Sequence, residues 1–283
     1  MAPEGHVEIQ PGLRLHYRWL GRESVSGDDQ PPIVVPLATW WGHQLDGLAD
    51  KHAVLLYDPR GRGRSDPRPE SDAGMDGDIE DIERLRLALD LDRISLVGWS
   101  YLGAIVARYA ARYPQRVHRL VQVGPMVPRR EYFPQFIGDY MSRAQQSTPS
   151  TSTAAGSVWS PVIAPQLAVP TMASSIIASL DLSSPNEDPA KINAWAAKSM
   201  SAGAGWDWRG EAATFHGPVL TIHGVRDNLP VEASREWAQS FPDGRLLLID
   251  HAGHYPHFEQ PETFMAAVST FFDGAWPAGA SRS

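Results

Sequence analysis

The chain has 283 residues, 42% of them hydrophobic and 20% charged, the balance of a globular protein long enough for one α/β domain with an inserted subdomain or for two small domains. Its net charge of −8 and the lack of any basic run interleaved with aromatics argue against nucleic acid or an anionic membrane as partner. There is no cysteine, which excludes disulfides, thiolate catalysis and Cys-ligated metals together.

The first residues, Met1 to His6, hold neither a basic n-region nor an apolar h-region, and no stretch approaches a membrane span, so a cytoplasmic protein is expected. Val7 to Gln10 and Leu13 to Leu20 alternate around Pro11-Gly12 and predict an edge hairpin. Ile33-Val34-Val35 is a continuous apolar run and predicts a buried strand, followed by the loop Pro36-Leu37-Ala38-Thr39-Trp40-Trp41-Gly42. Ala53 to Tyr57 predicts a second buried strand. It ends at Asp58-Pro59-Arg60-Gly61-Arg62-Gly63-Arg64-Ser65, a glycine-punctuated turn whose spacing matches no phosphate-binding loop and which reads as architecture.

Ile79, Ile82, Leu85 and Leu89 recur at helical spacing and predict a helix over 78–89. The next stretch, Ile94-Ser95-Leu96-Val97-Gly98-Trp99-Ser100-Tyr101-Leu102-Gly103, reads as a strand that turns sharply into a helix ending before Pro114. A serine in such a turn stands beside the free N–H groups and positive dipole end of the helix, where negative charge is favoured. With Val117 to Val123 the alternation of strand and helix continues, which implies right-handed crossovers, a mainly parallel sheet and functional loops at the carboxyl ends of its strands.

The Gly-Trp-Ser-Tyr-Leu-Gly elbow resembles the nucleophile elbow of the α/β-hydrolase family, with Leu102 where that pattern has glycine. A leucine there predicts a slightly wider approach of helix to strand. The Asp58 to Ser65 turn is similar to a family turn as well. The resemblance implies that one oxyanion-hole amide comes from the loop after the Ile33 strand, from Ala38 or Thr39, and the other from Tyr101; Pro36-Leu37 replaces the family's usual His-Gly there.

Between Gly124-Pro125 and Pro218 the regular alternation stops, and residues 126–213 read as an inserted lid between core segments 1–125 and 214–283. Tyr132 to Ala144, Ala173 to Leu182 and Ile192 to Met200 predict helices, and Ser147 to Ser157 a polar loop. Trp40, Trp99, Trp159, Trp195 and Tyr255 are candidates to line a substrate pocket.

The sheet resumes with Pro218 to Gly224, then a helix over Glu232 to Ser240 and a last strand over Arg245 to Ile249. His223-Gly224-Val225-Arg226-Asp227 is similar to the family's acid loop. Gly253-His254-Tyr255-Pro256, with Glu259-Gln260-Pro261 after it, is similar to its histidine loop, so serine, acid and histidine occur in the family's order. Asp227 is preferred to Asp250, which lies too near His254 in the chain to reach behind its ring. Gly124 leaves no carboxylate after the Val117 strand. His251, His254 and His257 are spaced by three, but Gly253 and Pro256 interrupt a helix and no carboxylate cluster completes a metal site, so no metal is expected and His257 reads as a loop or surface residue.

The expected protein is thus an α/β enzyme with a mainly parallel sheet that cleaves a small carboxylic ester, or an amide, without a cofactor. Ser100 is the expected nucleophile, His254 the base and Asp227 the orienting acid. A likeness to the proline-iminopeptidase-like branch leaves that branch's amine-binding acids unplaced in this lid. Acyl transfer, carbon–carbon cleavage, a cofactor-free lyase step and a non-catalytic small-molecule-binding role stay open, because fold does not fix reaction.

Overall fold

A computed structural model describes residues 3–21, 30–68, 74–146, 158–194 and 205–282. The strands β1 (Glu4–Gln10), β2 (Leu13–Leu20), β3 (Ile33–Pro36), β4 (Val54–Tyr57), β5 (Ile94–Trp99), β6 (Val117–Val123), β7 (Val219–Gly224) and β8 (Gly244–Ile249) form one sheet in the order β1-β2-β4-β3-β5-β6-β7-β8. Pairings β1/β2 and β2/β4 are antiparallel and the rest are parallel. β3, β4, β5 and β7 are buried at every position. Covered on both faces, they need no polar alternation, which is why they read as unbroken apolar runs.

Helices α1 (Ala38–Trp41), α2 (Met75–Ala88) and α3 (Tyr101–Arg112) follow β3, β4 and β5. α3 packs eight buried residues, among them Ile105, Val106, Tyr109 and Ala110, against the sheet. Each large aliphatic side chain so buried contributes roughly 1.5–3 kcal/mol, and this burial is the main force holding the layers together. The strand-to-helix approach at the elbow is close rather than widened. A Cβ on Gly98 would lie 2.4 Å from the Leu102 carbonyl oxygen, and one on Gly103 would lie 3.0 Å from Pro125. These two glycines supply the close approach, and Leu102 is absorbed into the core.

β6 pairs directly with β7, so the chain between them leaves the sheet and returns. That excursion holds α4 (Phe133–Gln146), α5 (Ser160–Ile163) and α6 (Ala173–Ala178), the last ending four residues earlier than its periodicity predicts. Residues 189–194 are helical; the rest of the helix expected to Met200, the polar loop 147–157 and Trp195 lie outside the described residues. A helix that the motifs do not announce spans Pro261–Phe272 and buries Phe264, Ala267, Val268, Phe271 and Phe272. Its apolar spacing of three and four is regular, and the histidine-loop motif at its start conceals it. No helix of the described residues is long and apolar enough to cross a membrane.

Candidate active site

Ser100 sits between β5 and α3 with φ 58° and ψ −127°, a backbone state that residues other than glycine rarely adopt. It is over-determined by its neighbours. Its amide donates to Val123 O (2.9 Å), and its carbonyl accepts from Gly103 and Met126 (2.9 Å each). The conformation turns the hydroxyl out of the elbow, and Ser100 Oγ lies 2.9 Å from His254 Nε2.

On the far side of the ring, His254 Nδ1 lies 2.9 Å from Asp227 Oδ2, and the other carboxylate oxygen accepts the Leu229 amide at 2.9 Å. A carboxylate only accepts, so this contact places the imidazole proton on Nδ1 and leaves Nε2 to accept from the serine. Burial pushes the Asp227 carboxyl up, but His254 and the amide outweigh it and hold it below the ordinary carboxylate value. Asp250, the competing acid, is exposed. Gly124 at the end of β6, φ +46°, closes over this pair: a Cβ there would stand 3.0 Å from both Asp227 Oδ2 and His254 Nδ1. The position is bare because the acid–histidine contact occupies its space.

The backbone of His254 is held as firmly as its ring. Its amide donates to Gln166 O (2.8 Å) in the inserted segment, and its carbonyl accepts the Trp99 indole (2.7 Å). Glu259 of the Glu-Gln-Pro motif accepts from the Gly253 amide (2.7 Å) and the Ala168 amide (2.6 Å), so one carboxylate pins the histidine loop and the inserted segment together.

After β3, Leu37 takes φ 73° where the chain enters α1. The Thr39 amide donates to Asp58 Oδ1 at 3.0 Å, which leaves Ala38 as the oxyanion-side candidate of the two. Asp58, at the head of the glycine-punctuated turn, also accepts from the Arg64 amide and lies 3.2 Å from His16 Nδ1. Tyr101 opens α3, and its hydroxyl donates to Asp78 (2.8 Å).

Of the pocket candidates, Trp40 stands 4.9 Å from Trp159 and 5.9 Å from Trp99, ring centre to ring centre, and Trp99 packs 4.7 Å from Tyr255. All four are nearly or fully buried. The structure therefore assembles them into one aromatic wall beside Ser100 and His254, with Trp99 also fastening the histidine loop. His257 is not a surface residue: it is fully buried among Trp41, Trp99, Phe258 and Phe264. The short helix Pro256–Glu259 carries it into the core, and burial drives its pKa well below the ordinary value. Neither ring nitrogen has a hydrogen-bond partner among the described residues. No group of three or more His, Asp or Glu side chains there is arranged to hold a metal ion.

Sequence reasoning missed Asp58, Glu259 and Glu187 as organisers of the site. Glu259 had a signal, the Glu-x-Pro motif, but Glu187 lies in a Ser- and Pro-rich stretch with none.

A family model described as alpha/beta hydrolase fold matches residues 35–261. The chain is 28% identical over 260 residues to a pimeloyl-[acyl-carrier protein] methyl ester esterase of Nitrosomonas europaea, covering 83% of this chain and 93% of that one. It is 33% identical over 139 residues to an N-formylmaleamate deformylase of Pseudomonas putida, covering 48% and 52% of the two chains. Among solved structures, an alpha/beta hydrolase fold protein from Chitinophaga pinensis superimposes with a TM-score of 0.74 at 18% identity, covering 97% of this chain and 98% of that one.

Proposed function

The chain belongs to the α/β-hydrolase fold family, and from that premise we propose that it is a serine hydrolase cleaving a small carboxylic ester through an acyl-enzyme on Ser100. One observation carries the reading: the continuous relay Ser100 Oγ, His254 Nε2, His254 Nδ1 and Asp227 Oδ2, with 2.9 Å at each contact. A serine hydroxyl is protonated at neutral pH and needs a base in contact to become a nucleophile. As Ser100 attacks the ester carbonyl, His254 takes the hydroxyl proton, and Asp227 stabilises the imidazolium that forms. The carbonyl oxygen gains the negative charge and is met by the Ala38 and Tyr101 amides. Collapse of the tetrahedral intermediate breaks the bond to the leaving oxygen, which takes the proton from His254. A water then repeats the cycle on the acyl-enzyme, giving carboxylic acid and free serine.

Residues 126–213 act in this reading as a cap, with Trp40, Trp159 and Tyr255 shaping the acyl side of the pocket. A substrate bearing a free amine is disfavoured, because the buried cap carboxylate nearest the aromatic wall, Glu187, is already engaged by Arg62, Trp40 and Gly63. The reaction needs no cofactor.

The test is intact-mass analysis after exposure to a fluorophosphonate, with peptide mapping and a Ser100→Ala control, followed by hydrolysis of p-nitrophenyl esters of increasing acyl length. One adduct at Ser100, and turnover lost by roughly a thousandfold or more in Ser100→Ala, is the expected result. Equal turnover in the two proteins would sink the mechanism.

A further inference from the structure

Glu187 lies in the cap, 87 residues after the elbow in a stretch whose composition suggests only a connection. Its side chain is fully buried, and its two oxygens collect four donors. Oε2 accepts from the Trp40 indole (2.7 Å) and Arg62 Nη2 (2.9 Å); Oε1 accepts from Arg62 Nε (3.0 Å) and the Gly63 amide (2.7 Å). Its neighbours reach the same turn. Ser184 Oγ donates to Gly63 O, and Asn186 Nδ2 donates to Gly63 O (3.2 Å) and Ser65 O (2.9 Å).

These partners converge on one place. Trp40 is two residues past Ala38, in the same short helix. Gly63 is wedged so tightly that a Cβ would stand 2.2 Å from the Asp58 carboxylate and 2.4 Å from the Thr39 hydroxyl. Asp58 in turn accepts the Thr39 and Arg64 amides. Glu187 therefore grips the oxyanion-side loop twice, directly through Trp40 and indirectly through the Gly63 turn and Asp58. A bidentate partner such as Arg62 would by itself compensate a buried carboxylate. The indole and amide bonds go beyond that and tie the cap to Trp40, two residues past Ala38, and to the Gly63 turn.

From this arrangement we infer that Glu187 is a positioning residue for the reaction: acting from the cap, it fixes Trp40 and the Gly63 turn and, through them, the Ala38 amide that faces the developing oxyanion. The inference rests on the hydrolase reading above, in which Ala38 is an oxyanion donor. Such a donor stabilises the transition state only when held at hydrogen-bond distance from where charge develops, so its loss of position lowers kcat more than substrate affinity.

The experiment uses the full chain with p-nitrophenyl acetate, comparing the parent with Glu187→Gln, Trp40→Phe and the double variant. Glutamine turns one acceptor into an NH2 group facing only donors, so kcat should fall by about tenfold to a hundredfold while KM stays within about threefold. Trp40→Phe keeps a ring but removes one donor, and should cost less. The double variant should fall well short of the product of the two single effects, because both act through one contact. Hydrogen exchange of peptides covering 37–41 and 61–65 should quicken in Glu187→Gln. A folded Glu187→Gln protein with parental kcat, or one whose loss lies wholly in KM, would reduce Glu187 to a cap fastener and overturn the inference, as would unchanged exchange in both peptides. A parent that neither labels at Ser100 nor turns over would overturn the hydrolase reading instead, and exchange would still decide whether Glu187 holds the loop.

Discussion

The two sides of the proposed site, the proposed triad of Ser100, His254 and Asp227 and the proposed oxyanion side around Ala38, are held by different forces. Ser100, Asp227 and His254 stand on loops after β5, β7 and β8, and their geometry follows from the sheet register and from glycines that admit close approach at Gly98, Gly103 and Gly124. The short helix α1, carrying Ala38, Thr39 and Trp40, is held instead by two carboxylates, Asp58 after β4 and Glu187 from the segment between β6 and β7. Steric fit is insensitive to pH and to single hydrogen bonds, whereas a carboxylate gathering N–H donors fails when one acceptor is lost or protonated. The triad should therefore break through added volume, and the oxyanion side through altered charge.

The sharpest break on the triad side is Gly124→Ala. The new methyl would fall 3.0 Å from both Asp227 Oδ2 and His254 Nδ1, on a residue whose φ of +46° strains any side chain, so the turn and the acid–histidine pair are pushed apart. A misplacement of this kind costs roughly a hundredfold in kcat/KM, to be measured with an activated ester. A fully active Gly124→Ala enzyme would show that the Asp227–His254 contact is not what turnover depends on. On the other side, Asp58→Asn adds no volume but points an NH2 group at a donor, and a fall in kcat of about tenfold is expected. If Asp58→Asn proved inert while Gly124→Ala did not, the loop would owe its position to packing, and the contrast between the two sides would fail.

The packed core around His257 should respond differently from both sides. His257 is fully buried without a partner among the described residues, and its pKa lies well below the ordinary 6.5. As pH falls through 6.5, the unfolded chain takes up the proton first, so stability is lost progressively below that pH by up to about 1.4 kcal/mol per pH unit. His257→Leu should remove this slope and raise stability at pH 5 by about 1–2 kcal/mol relative to the parent, read from urea unfolding at pH 5 and pH 7. Identical pH dependence in the two proteins would place the acid-sensitive group elsewhere.

The smallest effect concerns Glu187, in the segment between β6 and β7. Burial pushes the Glu187 carboxyl up, but Arg62 and the hydrogen bonds from Trp40 and Gly63 outweigh it and hold it below the ordinary 4.5. Its folded pKa is depressed, so the stability it contributes is present above 4.5 and is lost as pH falls through the folded value. Segment 181–187 should begin to exchange faster only below about pH 4.5 in the parent, and should show no such transition in Glu187→Gln. A transition that survives the substitution would assign it to another group.

Much of this was legible along the chain. The alternation of apolar runs and helical periods identified the sheet strands in chain order, and the three motifs after β5, β7 and β8 pointed to Ser100, Asp227 and His254. The pairing order, with β4 outside β3, did not follow from that pattern. The motifs do not announce the helix Pro261–Phe272, although its spacing is regular, because its first turn overlaps the histidine motif. Leu102 looked like an obstacle at the elbow, yet Gly98 and Gly103 provide the close approach. His257 looked exposed, since spacing alone says nothing about which side of a short helix meets the core.

What the sequence by itself determined is local: strands from unbroken apolar runs, helices from period and breakers, and reactive side chains at turns whose glycine pattern admits a strained backbone. What only the tertiary structure decided is which acceptor receives which donor across the chain. Glu187 meets the Gly63 amide across 124 residues, and Glu259 meets Ala168 across 91. A hydrogen bond of this kind leaves no periodicity in either partner, because its geometry comes from the packing of separate layers; Glu187 therefore looks, in one dimension, like any other acidic residue in a loop.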